Sequence, residues 1–258
     1  MKTLLAILFF LPFLVSAHTM TAVGNAQIDT AQSKFGGASG LMNTETTLTT
    51  GGVTAPDSSD FDLGSGAFTI AGFVRFATTV TVEQGVVAQT DAGSDIGWEV
   101  EFHNSAGQRK MRFGKSTNGS NYTVKDVNVT ISADTWYHFA VTRSGDTLHM
   151  FFDGTEVGTQ DLTGITIWNS SADLGVGRDV LQNLSLNGWL DEVSIQKGTA
   201  RWTSGFTPPT SADCGEPNVV LLLHMDGADA STTFTDDSAT ACGGGGGGYE
   251  DIDVISDD

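Results

Sequence analysis

Two acidic residues stand four positions apart in the stretch Thr90-Asp-Ala-Gly-Ser-Asp95, which separates two apolar segments. Ca²⁺ takes about six to eight oxygen ligands, and the carboxylates of Asp91 and Asp95 could supply some of them, with backbone carbonyls and water supplying the rest. Asp and Gly are also ordinary turn residues, so a plain turn is the competing interpretation. Asp91 and Asp95 are therefore candidate Ca²⁺ ligands.

A second pair of acids, Glu99 and Glu101, lies two residues apart on the alternating stretch Gly97-Trp-Glu-Val-Glu-Phe102. Paired acids on one strand face could hydrolyse a glycoside, which in retaining enzymes needs carboxylates about 5–5.5 Å apart. A third acid in phase is absent, because Gly97 and His103 occupy those positions, and the chain has no Gly-x-Ser-x-Gly nucleophile elbow. We therefore expect that the protein is not an enzyme and that the side chains of both glutamates point away from the core.

Two tryptophans, Trp168 and Trp202, lie in loop-like sequence. An exposed indole ring can stack on a sugar ring, whereas a loop tryptophan can also simply cap a hydrophobic core. Both residues are candidate glycan-stacking groups. The histidines stand singly, without the spacing of zinc ligands, so a zinc site is not expected.

One carboxylate, that of Asp191, is in phase with the apolar residues Trp189 and Val193, so alternation directs it inward. A carboxylate in that position must be paired or hydrogen-bonded. Its partner could be a loop backbone, one of two nearby arginines, or a metal ion. Glu192 points the other way and is expected to be solvated.

The charge balance limits the class of partner. The 258 residues include 12 Lys and Arg against 31 Asp and Glu, for a net charge of −19. Nucleic-acid binding requires clustered basic residues, so no nucleic-acid partner is expected. Residues Met1–Ala17 carry one positive charge, an apolar core and a small-x-small end, which predicts a secretory signal peptide. No other segment is long and apolar enough to cross a bilayer.

Secretion allows covalent modification. The two cysteines, Cys214 and Cys242, predict one disulfide. Five asparagines begin N-glycosylation sequons: Asn118, Asn121, Asn128, Asn169 and Asn183. After the second cysteine, residues 243–258 form a glycine linker and an acidic tail, which either is disordered or docks elsewhere as a short peptide.

Short alternating segments separated by turns occupy most of the chain. Phe68–Phe76 alternates, and Trp136–Arg143 and Thr147–Phe152 form a strong pair, with Asp153-Gly154 as a hairpin signal. No segment keeps a helical period over three turns. Roughly a dozen such strands predict an all-β, two-sheet antiparallel sandwich, formed by residues 18–242 as one domain.

Five segments, in chain order, resemble laminin-G-like, concanavalin A-like domains, particularly those of phage and environmental sequences. The segments are Trp136-Tyr-His-Phe-Ala-Val-Thr-Arg143, Met150-Phe-Phe-Asp-Gly154, Leu174-Gly-Val-Gly-Arg178, Leu186-Asn-Gly-Trp-Leu-Asp-Glu-Val-Ser-Ile195 and Thr199-Ala-Arg-Trp-Thr-Ser-Gly-Phe-Thr-Pro-Pro209. The resemblance implies a jelly-roll sandwich. It also implies a non-enzymatic module that binds glycans or mediates adhesion, sometimes with Ca²⁺.

The order of the chain departs from that family. In the related domains a segment similar to Val219–Gly227 opens the domain, and one similar to His18–Gln27 follows it; here the order is reversed. Residues 218–238 would then supply a relocated first strand, in a gap beside His18–Gln27. The strand, through Val219, Leu221 and Leu223, either closes its own sandwich or inserts into a neighbouring molecule.

These observations lead to two main hypotheses. The first is a secreted, non-catalytic module that binds an extracellular glycan or glycoprotein, with Ca²⁺ as a candidate cofactor. The second is a structural subunit that assembles head to tail into a filament by strand donation. Polysaccharide hydrolysis by the Glu99 and Glu101 pair is a distant third.

Overall fold

The protein is built almost entirely of β-strands in a computed structural model that describes residues 17–43, 51–92, 95–180, 184–213 and 216–239. A single turn of 3₁₀-helix, Ser59–Phe61, is the exception within those ranges. The strands are β1 Thr21–Val23, β2 Gln27–Asp29, β3 Ser39–Leu41, β4 Gly52–Ala55, β5 Phe68–Phe76, β6 Gln84–Thr90, β7 Ile96–Ser105, β8 Gln108–Gly119, β9 Tyr122–Val129, β10 Trp136–Ser144, β11 Thr147–Phe152, β12 Thr155–Asp161, β13 Leu174–Val176, β14 Arg178–Asp179, β15 Leu184–Ser185, β16 Gly188–Lys197 and β17 Val219–Leu223.

The strands form two large antiparallel sheets and one small hairpin. The first sheet has the order β1-β4-β13-β6-β7-β8-β9, and the second has the order β12-β11-β10-β5-β16-β3-β2, with β17 also paired to β16. The hairpin consists of β14 and β15. This arrangement confirms the predicted all-β, two-sheet antiparallel jelly-roll sandwich.

Aromatic side chains from both sheets meet in the core. The rings of Phe76 on β5 and Phe102 on β7 are 5.2 Å apart in an edge-to-face contact. Phe68 on β5 lies 6.0 Å from Phe113 on β8. Because successive strand residues point to opposite faces, the alternating apolar positions recognised in the sequence are those that fill this core.

The C-terminal strand β17 lies in the sandwich of its own chain. Leu221 pairs with Ile195 of β16, and Leu223 pairs with Val193. All five residues of β17 are buried. This is the first of the two predicted outcomes, and donation of the strand to a neighbouring molecule stays a prediction.

The predicted position of β17 was wrong in one respect. It occupies the edge of β16, where β3 pairs with the first half of β16 and β17 with the second half, rather than a gap directly beside His18–Gln27. The residues that follow β17 contact the N-terminal region instead: Thr235 bridges Thr19, and the Ile28 N–H donates to the Ser231 carbonyl at 2.7 Å. The segment that follows β17 is therefore joined to the region around β1 and β2 by short backbone contacts.

Several predictions fall outside the described residues. These concern the signal peptide up to residue 16, both cysteines of the predicted Cys214–Cys242 disulfide, the Asn183 sequon, and the linker and acidic tail from residue 240 onward. Within the described ranges, no helix has the length and apolar character needed to span a membrane.

Candidate functional site

Trp168 is the most exposed aromatic residue of a surface loop that joins β12 to β13. Its side chain is 41% exposed, whereas its neighbour Ile167 is 1% exposed and anchors the loop in the core. The Trp168 N–H donates to the Ser116 carbonyl of β8 at 2.9 Å. The indole Nε1 donates to Asp95 Oδ1, also at 2.9 Å. The ring is thus held in a fixed orientation with a large part of its surface open to solvent.

Asp95 holds this loop through both carboxylate oxygens. Besides the indole bond, its Oδ2 accepts hydrogen bonds from the Ser171 backbone N–H at 2.7 Å and from the Ser171 hydroxyl at 2.6 Å. Burial alone would raise the pKa of Asp95, but the hydrogen bonds from Ser171 and Trp168 lower it below its usual value. The carboxylate therefore stays ionised and tethers the Trp168 loop.

Asp91 and Asp95 do lie together, as the sequence predicted. The Asp95 N–H donates to Asp91 Oδ1 at 3.2 Å, which closes a tight turn. Ca²⁺ binding there stays a prediction. Both carboxylate oxygens of Asp95 already accept hydrogen bonds from the protein, so a cation at this loop would have to share these oxygens with the N–H and O–H donors.

Trp202 is placed differently from Trp168. Its ring stacks on Phe206 with centroids 4.1 Å apart, and the Arg201 guanidinium carbon lies 4.6 Å from the ring centroid. His138 contacts it edge to face at 5.4 Å. Trp202 and Phe206 pack against a small apolar cluster of Ala71, Ala140 and Phe151 on the outer face of the second sheet. Glycan stacking by Trp202 stays a prediction, with less ring surface available than at Trp168.

The acid pair on β7 points outward, as predicted, but it is buried. Glu99 and Glu101 point away from the sandwich core but are each 0% exposed. The β14–β15 hairpin lies over this face and adds Asp179, which is 1% exposed. One oxygen from each of the three carboxylates lies within 4.8 Å of the others. Sequence alternation gave the face of the strand correctly but could not reveal the hairpin that covers it.

Burial controls the protonation of this acidic cluster. Burial, followed by repulsion from Glu101 and Asp179, raises the pKa of Glu99 well above its usual value. Burial likewise raises the pKa of Glu101 to about 8, although its ion pair with Arg112 at 2.8 Å acts in the opposite direction. Removing a carboxylate from water penalises its charged form, so both groups favour the neutral form when nothing compensates their charge.

Asp191 bonds to a loop backbone, as one of the predicted alternatives stated, but the predicted inward orientation was wrong. It pairs with Phe73 of β5 on the outer face of the second sheet, whereas its neighbour Leu190 pairs with the core residue Val74. Asp191 Oδ2 accepts the N–H groups of Lys34 at 2.7 Å and Phe35 at 3.1 Å. The prediction for Glu192 was wrong: it is 6% exposed, has a φ of 52° and accepts hydrogen bonds from His224 and from the Asp213 N–H. An irregularity in the β16–β5 pairing between Asp191 and Ser194 breaks the alternation there.

The sequon asparagines within the described ranges lie on the surface. Asn118, Asn121, Asn128 and Asn169 are all exposed. Asn169 directly follows Trp168, so a glycan attached there would stand beside the exposed ring. Glycosylation itself stays a prediction.

Two residues near the β7 acids were not identified as site residues from the sequence. They are Asp179, whose carboxyl group joins the acid pair, and Tyr122, whose hydroxyl lies over Gly114 of β8. Asp179 directly follows the Leu174–Arg178 motif, but nothing in its local pattern indicated that it would meet the β7 acids. The available signal was the row of small residues opposite those acids: Gly85 on β6 pairs with Glu101, and Gly114 on β8 pairs with Glu99. Small residues in a strand mark places where another group approaches closely.

Solved structures with a similar fold include several binding domains. The binding domain of Paraclostridial Mosquitocidal Protein 1 matches with a TM-score of 0.53 and 11% identity over 74% of this chain and 45% of that one. The binding domain of botulinum neurotoxin serotype G gives 0.53 and 14% over 76% and 45%. A putative carbohydrate binding protein from Bacteroides ovatus gives 0.52 and 12% over 86% and 58%.

This chain thus spans about half the length of these structures, and at such low identity the likeness shows the fold alone. No curated protein matches the sequence. A family model of laminin-G-like domains, described as the concanavalin A-like lectin/glucanases superfamily, matches residues 47–202, which is more than half of the chain. Together with the two-sheet sandwich, this match shows that the chain belongs to the concanavalin A-like lectin/glucanases superfamily.

Proposed function

We propose that this protein is a secreted, non-catalytic binding module that recognises an extracellular glycan or glycoprotein through the Trp168 loop. The observation that carries the proposal is the indole ring of Trp168, which is 41% exposed and fixed by its bond to Asp95. A flat apolar face held in one orientation loses little conformational freedom when a sugar ring stacks on it. The signal-peptide pattern of Met1–Ala17 supports secretion.

The surroundings of Trp168 supply the polar groups that sugar hydroxyls require. Asn169 and Ser171 are exposed on the same loop, and Asn118 is exposed on β8, two residues beyond the carbonyl that holds the loop. A binding site usually combines an apolar surface with a few polar groups that fix the ligand's orientation. The fold supports this assignment, since one of the similar structures carries the name of a putative carbohydrate binding protein.

The burial of the β7 acids supports the absence of catalysis. A glycosidase needs its two carboxylates in contact with the scissile bond and a water molecule. Glu99 and Glu101 are 0% exposed beneath the β14–β15 hairpin, so a polysaccharide on the surface does not reach them. The pair is thus better suited to a structural or ion-binding role than to hydrolysis.

We expect the Trp168→Ala variant to lose glycan binding roughly tenfold to hundredfold, because an aromatic stacking contact contributes about 1–3 kcal/mol. Binding is measured on a glycan array, and a positive glycan is then titrated by calorimetry. Asp95→Ala retains the indole side chain but should weaken the same binding, because the loop loses its three hydrogen bonds to that carboxylate and the ring is no longer fixed.

Val82→Ala is the matched control, since Val82 is another exposed apolar side chain at 51%. It should bind the same glycan with wild-type affinity. Equal binding by wild type and Trp168→Ala would contradict the proposed site, and an array without any positive glycan would contradict glycan recognition itself.

A further inference from the structure

Three carboxyl groups from two separate elements converge behind the first sheet. Glu99 and Glu101 come from β7, and Asp179 comes from the β14–β15 hairpin that crosses over β6. An oxygen of each group lies within 4.8 Å of an oxygen of the other two, and all three residues are buried. The approach depends on Gly85 of β6, where a Cβ atom would lie 2.5 Å from the Asp179 nitrogen.

Glu99 has no hydrogen-bond partner outside the cluster. It is 0% exposed and contacts the Asp179 carboxyl group, but within the described part of the chain no N–H group and no hydroxyl group donates to either of its carboxylate oxygens. Its cross-strand neighbours, Ala88 on β6 and Gly114 on β8, have no polar side chain to offer. Buried carboxylates are normally paired or bound to a metal, so these two oxygens call for a ligand.

A hydroxyl group on the same face of the sheet is also unsatisfied. A Cβ atom on Gly114 would lie 2.2 Å from the Tyr122 hydroxyl oxygen, so the phenol covers the position directly opposite Glu99. Paired residues on neighbouring strands point to the same face, so this oxygen and the Glu99 carboxylate share one side of the sheet. The Tyr122 hydroxyl is buried and has no hydrogen-bond partner within the described ranges.

The cationic groups beside the cluster do not balance its charge. Arg112 pairs with Glu101 at 2.8 Å, but it also pairs with Asp126 at 2.7 Å and Glu83 at 3.4 Å. Arg178 lies next to Asp179 on the hairpin and interacts with it electrostatically. Five carboxyl groups thus surround two guanidinium groups, so the region carries an excess of negative charge when the acids are ionised.

We propose that Glu99, Glu101 and Asp179 bind a divalent cation of the oxygen-preferring class, with Ca²⁺ as the best fit. The ligand set consists of carboxylate oxygens, without sulfur or imidazole, which suits Ca²⁺, Mg²⁺ and Mn²⁺ rather than zinc. Ligands on opposite sides of Ca²⁺ are about 4.6–5.2 Å apart, because each bond is 2.3–2.6 Å long. Three oxygens within 4.8 Å of one another can therefore contact one Ca²⁺.

A surface depression lies beside the acidic cluster, at the edge of the hairpin. The Thr90 hydroxyl donates to Asp179 Oδ1 at 2.5 Å. Thr90 and Arg178 also line this depression, which is open to solvent, together with Thr54 and Asp173. The site is distinct from the Trp168 loop, so cation binding does not depend on glycan recognition.

The test is a titration of Ca²⁺ into the full chain after removal of metal with EDTA, near neutral pH. Calorimetry should show saturable binding of one Ca²⁺, and thermal unfolding should shift to higher temperature over the same concentrations. The Glu99→Gln variant keeps the shape of the side chain and removes its charge, so Ca²⁺ affinity should fall at least tenfold. Asp146→Asn, the same change in an exposed hairpin turn, should bind Ca²⁺ like the wild type.

Two results would overturn the proposal. One is a wild-type protein that neither binds Ca²⁺, Mg²⁺ or Mn²⁺ nor gains stability from them up to about 10 mM, which exceeds the dissociation constants of weak extracellular Ca²⁺ modules. The other is unchanged Ca²⁺ affinity in Glu99→Gln, with loss in Asp91→Asn, which would place the ion at the Asp91–Asp95 loop. If Glu99→Gln fails to fold, Asp179→Asn on the hairpin takes its place, and the same loss of Ca²⁺ affinity is expected.

Discussion

Replacing Leu221 with alanine is expected to lower the free energy of unfolding by about 3 kcal/mol, within the 2–5 kcal/mol range of buried Leu→Ala changes. Leu221 is 0% exposed, stands in the middle of β17 and pairs with Ile195 of β16. The loss combines the transfer free energy of the side chain with the cavity that it leaves in the core. Urea denaturation measures this difference as a lower midpoint at an unchanged m-value.

Val124→Ala is the control for this measurement, because Val124 is 40% exposed on β9. Its effect should stay within about 0.5 kcal/mol, as for other surface substitutions. A Leu221→Ala protein as stable as Val124→Ala would mean that β17 does not complete the core in solution. The position of β17 in its own sandwich would then be wrong.

Comparison of the wild type with Leu221→Ala also distinguishes closure of the chain's own sandwich by β17 from donation of β17 to a neighbour. If β17 closes its own sandwich, the wild type should elute as a monomer at every concentration, and the stability lost in Leu221→Ala should not depend on concentration. If β17 enters a neighbour, the wild type should form polymers that disappear when residues 218–258 are deleted. A donated strand also makes stability concentration-dependent, since the bound partner stabilises by mass action.

The sandwich itself could be predicted from the sequence because strand alternation is a local signal. Trp98, Val100 and Phe102 alternate on β7, and all three are 0% exposed in the core. Each position depends only on the two-residue period of a strand. The strand at residues 219–223 could also be predicted, because its apolar residues are too continuous for an exposed edge, whereas its relocation was inferred from the family resemblance.

The acidic cluster could not be predicted because its burial depends on contacts between distant segments. Glu99 and Asp179 are far apart in the sequence, and alternation says which face a side chain takes but not what covers that face. Glu192 was missed for a related reason, because the pairing irregularity in β16 interrupts the two-residue period. A residue pattern cannot show such an irregularity before the partner strand is known.

The Trp168 loop could be predicted from the sequence only in part. Trp168 and Asp95 were both recognised as chemically capable residues, one as a stacking group and the other as a metal ligand. Their hydrogen bond joins positions 73 residues apart, so each residue could be recognised from the sequence but their contact could not. This bond changes the interpretation of Asp95. Its carboxylate oxygens accept hydrogen bonds that position the indole ring, and the same oxygens would have to bind a metal ion.

Asp191→Asn is expected to become more stable than the wild type as pH rises, by up to roughly 4 kcal/mol above neutral pH. Burial raises the pKa of Asp191 from 3.8 to about 7, against the lowering effect of the Lys34 and Phe35 N–H bonds. In the unfolded chain the group titrates near its ordinary value. Its stabilising contribution is therefore fully present below about pH 4 and is lost as pH rises toward 7.

The asparagine keeps a carbonyl oxygen for the two backbone donors and removes the buried charge, so the two proteins should be almost equally stable near pH 4. Other buried acids titrate over the same range, so the quantity to measure is the difference in unfolding free energy between Asp191→Asn and wild type at each pH. Asp191→Ala is the control: it leaves the Lys34 and Phe35 N–H groups without their acceptor and should be destabilised by about 1–3 kcal/mol at low pH. A difference between Asp191→Asn and wild type that does not change with pH would show that this carboxylate titrates normally, because the two backbone bonds would then outweigh burial in setting its charge.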